Sequence, residues 1–223
     1  MKTIYEFLLS EHLLKSKTSV STQGIDCVDL ELPSGLLWTK CNIGAKEPTD
    51  YGDYFMWGST ESDTDKSCEW KNCPFNNGND TYNKRYFKSI KNKVCPNSIL
   101  APEYDAASII MSNDCRLPTQ KDFKELIDNT KHEWVENYQD SKINGMVFTP
   151  MGFEANGAEL FIPAAGYHNK TSFYDKGSHA FLWSSSLNTS NPNSARILYA
   201  TEYSYNIYNN YRCAAMPLRA IKE

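Results

Sequence analysis

The sequence predicts an α+β domain, and three observations carry that prediction. Helical periodicity is confined to a few short segments, short strands punctuated by Gly and Pro fill the later part of the chain, and strands and helices do not alternate as a parallel α/β sheet requires. No internal repeat or low-complexity tract is present. The chain has 223 residues, 40% of them hydrophobic, enough for one domain with a sizeable core plus a small appendage. The boundaries drawn from composition are 1–23 for an N-terminal helical peptide with its linker, and 24–223 for the domain.

Residues 3–14 carry the first helical signal. Thr3 and Glu6 form a capping-box pair, and Ile4, Phe7, Leu8 and Leu14 lie near one face. So short a helix needs something to pack on, either its own domain or a larger assembly. Lys15 to Gln23 is polar and β-branched, and reads as a linker. CVDLELPSGLLWTKCNIGA, from Cys27, predicts a strand at Val28–Leu30, a turn at Pro33–Gly35 and a strand around Leu36–Cys41. Tyr51, Tyr54, Phe55 and Trp57 are too crowded to be anything but mostly core. Residues 59–98, rich in Asn, Lys, Asp and Ser, predict a long excursion with little regular structure.

Pro102 opens an expected helix to Met111, with Pro at its first position. RLPTQKDFKELIDN predicts a second helix over 119–129. Thr119 is its N-cap, Asp122 lies in its first turn, and Phe123, Leu126 and Ile127 form an apolar stripe. Strands are expected around Gly145–Thr149, Glu159–Ile162 and Ala180–Ser184.

The stretch Phe181–Ile221 is unusual in composition. Between Ser186 and Arg212 it holds six Asn and five Tyr, and only Arg196 and Glu202 are charged between Leu187 and Tyr211. From Ile197 to Ile207 the residues alternate with strand period: Ile197, Tyr199, Thr201, Tyr203, Tyr205 and Ile207 on one face, Leu198, Ala200, Glu202, Ser204 and Asn206 on the other. This leaves one face, and at most half of those tyrosines, for contact. Tyr gives large rigid contact area with few rotors to freeze, and Asn gives adaptable donors and acceptors. The structural alternative is that Asn marks turns and Tyr simply suits strands.

Several function classes are disfavoured. Net charge is −4 and the basic residues are scattered, which gives no stripe for a phosphate backbone and no nucleic-acid partner. No apolar run approaches the roughly 18 residues of a membrane span. Glu6, Glu11 and His12 interrupt the first apolar stretch, so no secretion signal is expected, and the seven cysteines read as free thiols. Cys68, Cys73 and Cys95 lack zinc-ribbon spacing and a fourth ligand. His12, His132, His168 and His179 stand in unrelated contexts, and no Gly-rich phosphate loop occurs. No catalytic residue, metal set or cofactor is identified.

Six strings occur in one order: VDLELPSGLLWTKCNIGA, DYGDYFMWG, DAASI, RLPT, FIPAAGY and LWSSS. Over about residues 27–221 the chain resembles the major paralogous domain first described in Fibrobacter succinogenes and abundant in gut Bacteroidota and their phages. The resemblance implies a C-type-lectin-like fold, of the branch shared with formylglycine-generating enzymes and the variable proteins of diversity-generating retroelements. It implies paired terminal strands, two helices on a small antiparallel sheet, and a long loop-rich half presenting the ligand surface. The chain departs from the calcium-binding lectins: Glu47-Pro48-Thr49 lies in the wrong region, and Ser184 follows Trp183. It departs from formylglycine-generating enzymes as well, because Cys213 has no partner cysteine nearby. Most relatives also carry a lipoprotein or secretion signal.

The resulting expectation is a non-catalytic binding module of a phage or bacterium, recognising a host-surface glycan or protein through the 168–178 loop, the 187–194 loop and the 199–211 hairpin. The contact residues expected are Asn188, Asn191, Asn193, Tyr203, Tyr205, Asn206, Tyr208, Asn209, Asn210 and Tyr211. The Asn-rich 188–210 segment fits the adenine-rich codons that a diversity-generating retroelement mutates. The expected location is a virion or the cytoplasm, with a cell-surface target and residues 3–14 docking to a virion or tail. Two alternatives stand beside it: a virion decoration or homo-oligomer component, and an oxidoreductase-like enzyme whose Cys213 would be exposed with a lowered pKa.

Overall fold

The computed structural model describes residues 19–22, 24–111, 114–151 and 157–223, and the helix expected at 3–14 lies outside them. The chain is α+β, with antiparallel strand pairing throughout the described sheets. It opens with β1 (Ser19–Thr22), β2 (Ile25–Asp29), β3 (Leu37–Thr39) and β4 (Tyr54–Met56). Helices α1 (Lys84–Val94) and α2 (Ala106–Ile110), strand β5 (Cys115–Arg116) and helix α3 (Gln120–Asn129) follow. Then come β6 (Thr130–Val135), β7 (Gly145–Pro150), β8 (Leu160–Pro163), β9 (Tyr167–Asn169) and β10 (Ser172–Tyr174). The chain closes with β11 (Ala180–Leu187), β12 (Ser194–Ala200), β13 (Tyr205–Tyr211), β14 (Ala215–Pro217) and β15 (Ile221–Lys222).

The sheet β11-β12-β13 is the middle layer. Its first two strands read as near-continuous apolar runs, the pattern of strands covered on both faces. Phe181 pairs with Tyr199, Leu182 with Leu198 and Trp183 with Ile197. Alternation then sends Phe181, Trp183, Ala195 and Ile197 into one core and Ala180, Leu182, Leu198 and Ala200 into another. The first core is completed by Phe55, Trp57, Phe87, Val94, Ala106 and Met216. The second is completed by Val28, Trp38, Phe123, Leu126, Phe148 and Leu160. Two tryptophans tie β4 to the middle sheet: Trp57 Nε1 donates to Ser184 O (2.9 Å) and Trp183 Nε1 to Phe55 O (3.0 Å). Each buried indole removes roughly 200 Å² from water, on the order of 5 kcal/mol of transfer free energy.

The ends of the described chain meet. β15 lies between β3 and β5, with Ile221 opposite Trp38 and Arg116. Beneath this closure Arg219 is fully buried. Its Nε donates to Asn42 Oδ1 (2.9 Å), and its Nη atoms donate to the carbonyls of Thr39 (2.9 Å), Lys40 and Phe161 (3.0 Å). Burial pushes this guanidinium down to about 10.

Helix α3 forms as its cap residues dictate. Asp122 Oδ2 accepts from Thr119 N (2.7 Å), Thr119 Oγ1 accepts from Asp122 N (3.3 Å), and Arg116 closes an ion pair on Asp122 (2.7 Å). Four expectations need correction. The helix drawn over 102–111 is a 3-10 turn at Pro102–Tyr104 followed by the short α2. Asp105 is the stronger cap, accepting from Ala107 N (2.9 Å), Ser108 N (3.3 Å) and Leu117 N (2.9 Å), so the helix starts after it. The excursion 59–98 contains α1, capped by Asn83 and anchored by Phe87 and Val94. The polar run read as a linker pairs as β1 with β2 over Ser19–Thr22. Finally, the alternation read through Ile197–Ile207 belongs to two strands, β12 and β13, joined at 201–204.

In FIPAAGY, Gly166 has φ +65°, and a Cβ there would lie 2.0 Å from Tyr174 O. Only glycine permits β9 and β10 to fold this closely.

Candidate functional site

β13 is the edge of the middle sheet, paired on one side only, with Leu198 opposite Ile207 and Ile197 opposite Tyr208. Its two faces carry different rings. Tyr205 packs edge-on against His132 of β6, centroids 4.0 Å apart. Tyr208, on the other face, meets Tyr199 at 5.4 Å. From Tyr199 a file of rings runs through Phe181 (5.3 Å) and Tyr167 (5.4 Å) to Tyr174 (5.4 Å). Tyr211, at the far end, meets Trp70 at 6.3 Å. The exposures are 89% for Tyr203, 43% for Tyr205, 48% for Tyr208 and 57% for Tyr211. Within Ile197–Ile207, Tyr203 and Tyr205 are exposed and Tyr199 is half-buried, which corrects the expectation that at most half of those tyrosines are available. An edge strand thins out on both faces, so both present rings to solvent.

The outer edge of β13 is partly closed by its own side chains. Asn206 Oδ1 accepts from Ile207 N (2.8 Å) and Asn210 Oδ1 from Tyr211 N (2.8 Å). A free strand edge is a template for another strand. Here two of its donors are already occupied.

The asparagines of the preceding loop divide by role. Asn188 is 6% exposed. Its Nδ2 donates to Ser194 Oγ (3.2 Å) and Asn209 Oδ1 (3.2 Å), and its Oδ1 accepts from Ser190 N (3.2 Å) and Asn191 N (3.4 Å). It shapes the loop and does not face a ligand. Asn193 is half-buried, with an Oδ1 that has no hydrogen-bond partner among the described residues. Asn191, Asn209, Asn210 and Tyr211 line a shallow groove of about 250 Å³ together with Ser194.

A larger cleft, about 420 Å³, lies beside the 201–204 turn. Its walls are Trp134 of β6 and Glu136 just beyond it, Asn144, the Gly177–His179 segment, Tyr199, and Thr201 through Ser204. The turn is held by Thr201, whose Oγ1 accepts from Tyr203 N (3.2 Å) and Ser204 N (3.1 Å). The neighbouring Glu202 carboxylate holds the Tyr203 pKa above its usual value. Of the ten contact residues expected, only Tyr203 lines the cleft, though the expected 199–211 hairpin and 168–178 loop also contribute to its walls. The contributions of Trp134, Glu136 and His179 come from distant segments and carry no local motif.

The base of this region is framework. Arg212 is fully buried, its Nε donating to Pro192 O (2.9 Å) and its Nη1 to Pro74 O (3.3 Å). Its guanidinium lies 4.1 Å from the Phe87 ring centroid and 5.5–5.7 Å from those of Tyr82, Trp57 and Trp70. Cys213 is 8% exposed, and burial pushes its thiol up to about 11. That is opposite to the exposed, low-pKa thiol on which the oxidoreductase alternative rests.

Cys68 and Cys73 share one buried cluster with Cys213, whereas Cys95 lies in the first core. Cys68 Sγ sits 3.2 Å from His168 Nδ1. Burial pushes the Cys68 thiol up to about 12 and holds His168 below its ordinary value, a pair built to remain neutral. Among the described residues, no group of three His, Cys, Asp or Glu is arranged to hold a metal ion, and no helix is long and apolar enough to cross a membrane. In comparisons with known proteins, no family model, curated protein or solved structure matches the chain.

Proposed function

We propose that this chain is a non-catalytic recognition module on a C-type-lectin-like scaffold, binding a host-surface glycan or protein on behalf of a phage or bacterium. The observation that carries the reading is the edge strand β13 and its turn. Tyr203, Tyr205, Tyr208 and Tyr211 stand exposed on a sheet whose other two strands are buried on both faces. Isolated exposed aromatics are ordinary, but several gathered on one edge strand and its turn are the composition of a contact surface. The pairing of β15 with β3 and β5 supports the lectin-like scaffold, since closure of the terminal strands is a mark of that fold.

The test is a glycan array and whole-cell capture with the purified chain, alongside the Tyr205→Ala, Tyr208→Ala double variant. Capture that falls at least about tenfold in the variant supports the reading. Equal capture by both proteins refutes it. In the alternative of a virion decoration or oligomer, the same tyrosines are covered by a neighbouring subunit, and light scattering at working concentration then gives a multiple of the 25.4 kDa chain. The retroelement version is tested at the nucleotide level. It requires a near-copy of the segment encoding 188–210 that differs only at adenines, next to a reverse transcriptase gene.

A further inference from the structure

We propose that the cleft beside the 201–204 turn is a subsite for a protonated amino sugar, seated by Trp134, Tyr199 and Tyr203 and held by the carboxylates of Glu136 and Glu202. The proposal deepens the recognition reading above and rests on it for the biological setting.

The cleft, about 420 Å³, lies near the small end of the range for ligand pockets, the size of one or two sugar rings. Three of its walls are aromatic. Trp134 is half-buried against the second core, which fixes its ring. Tyr199 is held by rings at 5.3–5.6 Å from Phe181, Tyr208 and His179. Such faces stack on the C–H face of a pyranose and attract a cation placed over them.

The charge in the cleft has one sign. Among the described residues, Glu136 and Glu202 line it and no Lys or Arg does. Neither carboxylate takes part in an ion pair between described residues. Both carboxylates line the cleft together with Tyr203.

The neutral polar groups of the wall are largely spent within the fold. Asn144 Nδ2 donates to Gly177 O (3.0 Å) and its Oδ1 accepts from Asn137 N (3.0 Å), Ser178 Oγ engages His179 Nδ1 (2.8 Å), and Thr201 holds the turn. The groups left to select a ligand are therefore aromatic faces and negative charge. That combination distinguishes an amine-bearing sugar from its N-acetylated form, which has the same ring but no cation.

The experiment is isothermal titration of the full chain with glucosamine, N-acetylglucosamine and Nα-acetyl-lysine methylamide, at low and at high salt. The expected result is saturable glucosamine binding that weakens with salt, with N-acetylglucosamine at least about tenfold weaker. Glu202→Gln and Glu136→Gln, both at exposed positions, are each expected to lower glucosamine affinity by at least about threefold. Equal binding of the two sugars, tighter binding of the lysine derivative, indifference to both substitutions, or no glucosamine binding would each overturn the proposal. If glucosamine is silent while cell capture through Tyr205 and Tyr208 persists, the subsite falls and the wider reading stands. If glucosamine binds as expected while capture does not depend on those tyrosines, the subsite stands and the wider reading falls.

Discussion

Arg212 gives the sharpest test of how the proposed recognition surface is held up. It joins the 187–194 loop, through Pro192 O, to the loop before α1, through Pro74 O, and its backbone N–H donates to Asn193 O (3.0 Å). Among the described residues, no ion pair involves it and its Nη2 has no hydrogen-bond partner. Arg212→Met removes two charge-assisted bonds worth about 1.5–3 kcal/mol each and a desolvated cation–π contribution of about 2 kcal/mol. It also removes the cost of burying the cation, several kcal/mol, and that of the orphaned Nη2, about 1–3 kcal/mol. These terms nearly cancel and leave a net loss of about 1–2 kcal/mol, a melting temperature lower by roughly 4 °C for a chain of this size. Arg212→Lys keeps the buried charge. It replaces a planar fork by a more strongly hydrated ammonium that cannot satisfy both carbonyls, so about 3–5 kcal/mol is lost and melting falls by roughly 10 °C. Differential scanning calorimetry of the three proteins at pH 7 reads the order. A Lys variant that melts above the Met variant refutes the reasoning, because positive charge alone would then hold the two loops.

Three further outcomes are expected. His168 is held below its ordinary pKa chiefly by burial. The unfolded chain therefore binds the extra proton first, and stability present above about pH 6.5 is lost as pH falls below it; His168→Gln should flatten the urea midpoint between pH 7 and 5, and an unchanged slope counts against this. The Cys213 thiol, pushed up to about 11, should react with an aromatic disulfide reagent at pH 8 at least about 100-fold more slowly in the native than in the unfolded protein; comparable rates would contradict its burial. Replacing both Asn206 and Asn210 by Ala frees the outer-edge N–H groups of Ile207 and Tyr211. Light scattering should then show association rising with concentration, and a mass identical to the parent's across the range would show that these bonds do not guard the edge.

What could be read from the sequence was the chemistry that acts over a few residues. Thr119 and Asp122 cap α3 because their atoms reach one another across one turn. The apolar run Ala180–Trp183 marked β11 because the strand is buried along nearly all its length. Helix α1 was not legible. In KRYFKSIKNKV the apolar anchors Phe87, Ile90 and Val94 are diluted by lysines, and the cap Asn83 is one of many asparagines in that region. The helix exists because Phe87 and Val94 are supplied with a core by Trp183, Leu187 and Met216, far along the chain. Position 102 misled for a related reason. Proline is compatible with a helix start, but it lost to Asp105, whose second carboxylate oxygen is engaged by Leu117 N across the fold. The candidate site divides in the same way. Its tyrosines were legible as a surface because strand residues with polar neighbours have nowhere else to go, whereas the cleft draws Trp134, Glu136 and His179 from segments that nothing local connects.

Identical letters in one stretch thus carry opposite constraints, and the difference follows from where each backbone group finds its partner. Asn188 and Asn209 are bonded to each other and to Ser194, so they fix the approach of the 187–194 loop to β13. Asn206 and Asn210 each cap the N–H that follows them. Tyr203 and Tyr211 leave more than half of their surface in water, and Tyr205 and Tyr208 nearly half. Substituting the tyrosines changes what the surface can touch at small cost to the fold, because β13 is registered by its ladder with β12 and by Ile207 against the second core. Substituting Asn188 or Arg212 instead releases the loop or the base on which that ladder stands. On the recognition reading, such a surface separates the residues that set specificity from those that set shape. Variation that preserves the module should therefore fall on Tyr203, Tyr205, Tyr208 and Tyr211 and spare Asn188, Ser194 and Arg212, a pattern that neither a strand-addition edge nor a buried subunit contact would impose.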